Sequence, residues 1–246
     1  MISFFIPIRK ISRRVKNKNT RSLPNYKHGL TELKILQLHK FRNLIKKRKP
    51  SLFNEFEFII STNCEKVEKF AKKFNWIKLH GRNKFLSAED SLVELINEIP
   101  NICSGEFILW THVTNPFFNE YDYFEFINSF LKKNKMNKKI KSAFSADLIQ
   151  KFIYREDKKW ISHDFEKKKW PRTQDLPKSY LVNSAAFIAT IGVYKESRDR
   201  LCNSPIPIIS KNNAGFDIDN VNDFFKNNKH LQYPFKNVHL STWEIL

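Results

Sequence analysis

The sequence predicts an α/β protein in three layers, a mostly parallel sheet with helices on both faces and one inserted arm. Three observations predict it. Apolar, β-rich runs alternate with segments of helical period in a βαβαβα order, which argues for parallel strands joined by helical crossovers. One run, "EFILWTHV" at 106–113, is apolar almost throughout, as a strand covered on both faces must be. The 246 residues, 41% hydrophobic and 14% aromatic, suffice to bury a real core in one large domain.

The elements follow in order. "ISFFIPI" (2–8) reads as the first strand and "LTELKILQLHKFRNLIKK" (30–47) as an amphipathic helix. "FEFIIST" (56–62) is a second strand, followed by a helix in "CEKVEKFAKKF" (64–74). "DSLVELINEI" (90–99) is helical, 106–113 is the buried strand, and "YDYFEFINSFLKK" (121–133) is helical again. Ligands of such sheets bind at the carboxyl ends of the strands, which puts the loops at 9–23, 80–90 and 113–120 on one functional edge. Beyond residue 140 the pattern changes. "SAFSADLIQKFIYRED" (142–157) reads as two short strands with a bend. Residues 158–180 are polar, dotted with aromatics and too long for an ordinary connection. "YLVNSAAFIATIGVY" (180–194) restores a buried strand. Residues 1–246 therefore form one domain, with 142–180 as an arm that acts as a lid, a dimer contact or both. Trp160 and Trp170 in the arm are expected to serve packing rather than base stacking.

The formal net charge is +19, which by itself suggests nucleic acid or an anionic membrane surface. Composition offers another source. Lys, Asn, Ile and Phe are abundant and Gly totals only 5, the profile of an AT-rich coding sequence, and the lysines spread along the whole chain. Cys64, Cys103 and Cys202 form no CxxC pair, so they read as buried small hydrophobes in a reducing compartment. No stretch approaches the ~20 apolar residues of a membrane-spanning helix. The amino terminus reads as a strand rather than a signal peptide, so a cytoplasmic protein is expected.

Two constellations carry chemistry. "IPIRKISRRVKNKN" (6–19) places Arg9, Ser12, Arg14, Lys18 and Asn19 just past the first strand, cations and donors spaced to suit a phosphate chain. Neither GxxxxGK[ST] nor GxGxxG is present. Asp217 and Asp219 in "FDIDNVNDF" fall two apart and would share a side if extended. Two such carboxylates suit Mg²⁺ completed by phosphate oxygens and water. The same string reads equally as a helix start, with Asp219 or Asn220 as the cap. His80, His112 and His163 lack metal-ligand spacing and read as polar contacts.

The residues also resemble a known family. "IPIRKISRRVKNKNTRSL" is similar to the amino-terminal signature of the cytidylyltransferases that activate acidic sugars, the acylneuraminate and CMP-Kdo synthetase group. Arg9, Ser12, Arg14, Lys18, Asn19, Arg21 and Leu23 match in register. The resemblance continues through "FIIST", "HGRNKFLSAEDS", "THVTNPF", "KSAFSA", "RTQDLP", "NSAAFIA" and "FDIDNVNDF", spanning residues 2 to about 230. Departures are specific: Lys10, Ile11 and Asn17 stand where the family has glycines, His112 where it has Gln, and Thr173 where it has Arg.

The resemblance implies a Rossmann-like nucleotidyltransferase fold. The reaction it implies is attack of a 2-keto sugar's anomeric hydroxyl on CTP, giving a CMP-sugar and pyrophosphate. Arg9, Ser12, Arg14 and Lys18 would hold the phosphates, and Asn19, Arg82, Ser91 and His112 the nucleoside. Arg172, Gln174 and Asn183 would face the sugar, and Asp217 and Asp219 would bind Mg²⁺. A homodimer through the arm is implied as well. A different sugar or nucleotide, or an inactive relative, is the alternative within this class. A basic nucleic-acid- or membrane-binding protein is the alternative outside it; the expected partners are CTP and an acidic sugar, with no nucleic acid and no membrane insertion.

Overall fold

The computed structural model describes residues 1–83 and 92–226. Strand β1 (Ile2–Ile8) starts the sheet. Helix α1 (Gly29–Arg48) returns the chain to β2 (Phe56–Thr62), helix α2 (Glu65–Ala71) leads to β3 (Ile77–Gly81), and α3 (Leu92–Ile102) precedes β4 (Phe107–Thr111). Helix α4 (Glu120–Met136) leads to β5 (Ser142–Ile149). The arm holds a two-stranded hairpin, β6 (Tyr154–Arg155) with β7 (Lys159–Trp160). The chain then re-enters through β8 (Ser179–Thr190), α5 (Ile191–Ser197), β9 (Ile206–Ile209) and α6 (Val221–Lys226).

The main sheet has seven strands in the order β3-β2-β1-β4-β8-β5-β9. All pairs are parallel except those of β8, which runs antiparallel to both β4 and β5. Alternation along β1 explains the layering. Phe4, Ile6 and Ile8 join one core with α1, α2, α4 and Phe224 of α6, while Phe5 joins the opposite core with α3 and α5. Phe4 has no exposed surface and meets Phe41, Phe58 and Tyr123 within 5.4 Å between ring centres. A fully buried side chain of this size stabilises the fold by about 1.5–3 kcal/mol. β4 is buried at all five positions, as its unbroken apolar run required.

Chain order leaves β1 toward β2 on one side and β4 toward β8 on the other. In sheets of this kind such a divergence places the ligand crevice at the carboxyl ends, on the side of the loops after β1 and β4. Up to α4 each expected strand and helix has a counterpart within a few residues, with β3 missed; residues 90 and 91 of the expected helix 90–99 lie outside the described residues. The segment 180–194 differs: the strand ends at Thr190 and "IGVY" begins α5. The short strands β3 and β9 escaped prediction because each offers only four or five residues, half-buried or exposed, with no clean alternation. Within 142–180 the first eight residues are β5, so the arm proper is 150–178. Gln150 Nε2 ties its two ends by donating to Gln174 O and Leu176 O, both at 2.9 Å. Trp160 stacks on Phe165 and meets Trp170 edge-on, giving the arm its own small aromatic cluster, although Trp170 remains 65% exposed.

Candidate active site

The loop after β1 is a chain of turns with a defined hand. Asn17 has φ 57, the left-handed region where Asn is among the few side chains tolerated. Its carbonyl accepts from Thr20 N and Arg21 N at 2.9 and 2.7 Å, and Lys18 N donates to Val15 O at 3.1 Å. An Asn at the family's glycine position is thus compatible with the turn. Asn19 fastens the loop twice: Nδ2 donates to Arg9 O at 3.0 Å, and its carbonyl accepts the Thr31 hydroxyl at 2.8 Å. Gly29 (φ +62) opens α1 where a Cβ would stand 2.2 Å from Arg21 O. The turn aims Lys18 inward and leaves Arg14 at the rim, while Ser12 sits half-buried two residues before Arg14.

Both cations meet the carboxylate segment. Arg14 Nη2 lies 2.9 Å from Asp219 Oδ1, and Lys18 Nζ lies 3.7 Å from the same oxygen while donating to Ile218 O. Burial pushes the Lys18 pKa down, opposed by the charges of Asp217 and Asp219. Burial pushes the Asp217 carboxyl up, opposed first by a hydrogen bond from the Thr114 side chain. Asp217 Oδ1 is buried with no hydrogen-bond partner. An orphaned carboxylate oxygen beside a second carboxylate fits a hard cation that brings its own water and phosphate ligands. Among the described residues no group of three or more His, Cys, Asp or Glu forms a self-sufficient metal cage.

The two readings of "DIDNVNDF" divide between its residues. Asn220 Oδ1 accepts from Asp223 N at 2.9 Å, and Asp223 Oδ2 accepts from Asn220 N at 3.0 Å, a reciprocal cap on α6. Asp223 also accepts from Asp219 N, so Asp219 contributes only a backbone donor and keeps its carboxylate for the crevice.

A second cationic position lies at the ends of β2 and β3. Arg82 N donates to Thr62 O, and its guanidinium donates to Ser61 Oγ and Ser61 O, both at 3.0 Å. Burial and then the neighbouring Arg9 charge depress its pKa to about 10. Two guanidinium groups close enough to repel therefore stand together at this end of the sheet. Ser91 lies outside the described residues.

No family model and no curated protein sequence matches the chain. Solved structures do. A CMP:2-keto-3-deoxy-manno-octonic acid synthetase complexed with CTP superposes with TM-score 0.59 at 11% identity, covering 94% of this chain and 98% of that one. A 4-diphosphocytidyl-2C-methyl-D-erythritol synthase from Anaerococcus prevotii gives 0.58 at 13%, covering 94% and 96%. A cytidylyltransferase from Leptospira borgpetersenii gives 0.54 at 13%, covering 94% and 87%. This is the α/β nucleotidyltransferase fold.

Within this nucleotidyltransferase fold, the remaining expected contacts are less exposed to a ligand. His112 Nε2 accepts from Trp110 Nε1 at 2.9 Å, which leaves Nδ1–H to donate to Ser184 O at 3.0 Å. Burial, then the Arg200 charge, drops its pKa to about 3, so the ring is neutral with both nitrogens engaged inside the protein. Ser184 itself has φ 61. Asn183 is a buried hub: Nδ2 donates to Asp147 and Ser210, and Oδ1 accepts from Ser145. Gly215 is required beside it, since a Cβ there would fall 2.1 Å from Asn183 Nδ2. Arg172 forks onto Asp175 at 2.9 and 3.1 Å, and Gln174 presents its carbonyl to Gln150. No hydrogen bond or ion pair joins Arg172 or Gln174 to the Arg14–Asp219 group among the described residues.

Three contributors went unnoticed in the sequence. Thr114 holds Asp217, Asn115 Nδ2 reaches Asn183 O, Gly215 O and Phe216 O, and Lys34 Nζ donates to Asn115 O. The available signal for Lys34 was a polar pair, Lys34 and Gln37, set into the buried stripe of α1.

Proposed function

We propose that the chain transfers the cytidylyl group of CTP to the anomeric hydroxyl of an acidic 2-keto sugar, releasing pyrophosphate. The observation that supports this best is the meeting of Arg14 and Lys18 with Asp219, beside Asp217, at the crevice where β1 and β4 diverge. A triphosphate entering there would find Arg14 and Lys18 on one side and Arg9 with Arg82 on the other. Cations positioned in advance around a phosphoryl group stabilise the charge that develops on it, with little reorganisation during reaction. Asp217 and Asp219 would hold Mg²⁺, which when bound polarises the α-phosphate and offsets charge on the leaving pyrophosphate. The chain's own part is to bind and orient the phosphates and to shield the reacting centre from water. The cytidine preference rests on the sequence resemblance and on neighbours that are cytidylyltransferases.

A second reading has its own support. Arg172 is neutralised by Asp175 and Asn183 is saturated internally, so the acidic-sugar contacts are the least prepared part of the site. Transfer to a hydroxyl acceptor other than an acidic sugar, a polyol phosphate among the candidates to test, is the second reading. We further propose a homodimer joined through the arm and the adjoining start of β8, where Tyr180, Leu181 and Val182 are exposed. Sedimentation velocity tests the dimer. Pyrophosphate release from CTP and Mg²⁺, challenged with sialic, pseudaminic, legionaminic and Kdo acids and with polyol phosphates, tests the reaction. Release with an acid and its loss in Asp219→Ala supports the first reading, release with a polyol phosphate the second. Absence of CTP binding overturns both.

A further inference from the structure

Helix α1 buries a lysine completely: Lys34 is 1% exposed, deep in the apolar core. Its ammonium has three donors and three acceptors in reach. Lys34 Nζ lies 3.2 Å from Asn115 O, 3.4 Å from Phe118 O and 2.9 Å from Tyr123 Oη. The proton directions can be worked out. Thr111 Oγ1 donates to Ala185 O at 2.7 Å, since a carbonyl only accepts. Thr111 Oγ1 therefore accepts from the Tyr123 hydroxyl at 2.7 Å, and the Tyr123 oxygen accepts a hydrogen bond from Lys34 Nζ. Burial lowers the Lys34 pKa to about 7, opposed by the charge of Asp122, and in the protonated form all three N–H groups are committed, one to each acceptor. A neutral amine or an apolar side chain would leave buried oxygens unsatisfied.

Those carbonyls belong to the loop between β4 and α4, whose other side carries the site. Thr114 O accepts from Ile218 N at 2.9 Å, the Thr114 side chain bonds to Asp217, and Asn115 Nδ2 donates to Phe216 O at 3.2 Å. One turn further along α1, Gln37 Nε2 donates to Pro116 O at 2.6 Å. We infer that Lys34 is a positioning residue: from beneath the sheet edge it clamps residues 115–118, and through them fixes the carboxylates of Asp217 and Asp219. Lys34 touches neither carboxylate. The assignment of those carboxylates to a cation rests on the function proposed above, whereas the clamp itself does not.

The test uses the full chain with Lys34→Met, which keeps length and loses every donor, and Lys34→Gln, a milder change that retains two. Backbone amide exchange is followed at 112–118 and 214–219, with α3 and α5 as an internal reference. Binding of Mn²⁺ with CTP is titrated in parallel. Exchange at least tenfold faster in both segments, α3 and α5 unchanged, with Mn²⁺ and CTP binding weakened tenfold or more, is the expected result. The smaller effect is expected in Lys34→Gln, which also serves if Lys34→Met does not fold. Unchanged exchange in both segments overturns the clamp, as does an equal acceleration everywhere, which would mark a purely structural lysine. Should wild-type chain bind no CTP, the proposed function falls while the exchange result still decides the clamp.

Discussion

Arg14 Nη2 stands 2.9 Å from Asp219 Oδ1, the oxygen that Lys18 Nζ also approaches at 3.7 Å. The cations proposed to face the phosphates thus rest on a carboxylate proposed for the metal, and under that proposal each group would exchange partners when a metal–triphosphate arrives. Arg14→Gln should weaken CTP binding by roughly ten- to a hundredfold, the loss of one charge-assisted hydrogen bond of about 1.5–3 kcal/mol. It should also tighten Mn²⁺ binding in the absence of nucleotide, because Asp219 is released. Both are read by calorimetric titration. Arg14 and Asp219 are exposed enough that unfolding midpoints should hardly move.

Asp217 trades stability for function. Burial holds its carboxyl above the usual range and Oδ1 has no partner, so the ionised form is a cost to the fold near neutral pH. Asp217→Asn should raise the thermal midpoint by a few degrees, on the order of 2–4 °C per kcal/mol for a chain of this size. Pyrophosphate release should fall at least a hundredfold, judged by transition-state charge stabilisation of several kcal/mol. A variant less stable than wild type would contradict this account of the site.

His112 should not titrate with activity. Its folded pKa, lowered by burial to about 3, lies below the ordinary value of 6.5, so the unfolded chain takes up the proton first. Its contribution to stability is intact above pH 6.5 and is lost progressively as pH falls toward 3. His112→Gln should therefore lose less stability than wild type between pH 7 and pH 5 in urea titrations. The pH–rate profile above pH 5 should be the same in both proteins.

Asn17 separates backbone from side-chain needs. With φ 57, Asn17→Gly should be accommodated within a few tenths of a kcal/mol, while Asn17→Val should cost about 1–2 kcal/mol of loop order. The measurement is CTP affinity together with the urea midpoint.

Much of the fold was legible because its signals are periodic. The alternation of Phe4, Ile6 and Ile8 and the unbroken apolar run of β4 state their environments directly. β9 was not legible, since Ile206–Ile209 is a short edge strand defined by its pairing with β5. Nor was the reversal of β8, because direction within a sheet leaves no mark on local pattern. At the site, the loop cations and the two aspartates could be read from spacing. The engagement of His112 by Trp110 and Ser184 could not, since Ser184 lies 72 residues away in sequence. Lys34 looked like one more lysine in a lysine-rich chain.

Seven consecutive residues, Asp217 to Asp223, serve both the crevice and the helix that follows. Asp217 and Asp219 face the cations, while Asn220 and Asp223 close the cap of α6. The chain here works as a ruler. Adding or removing a single residue between 217 and 223 would rotate either the carboxylates or the cap out of place, and no neighbouring side chain could restore both. Length variation among related chains should therefore be absent from this stretch and concentrated in the arm at 150–178, whose two ends are pinned together by Gln150.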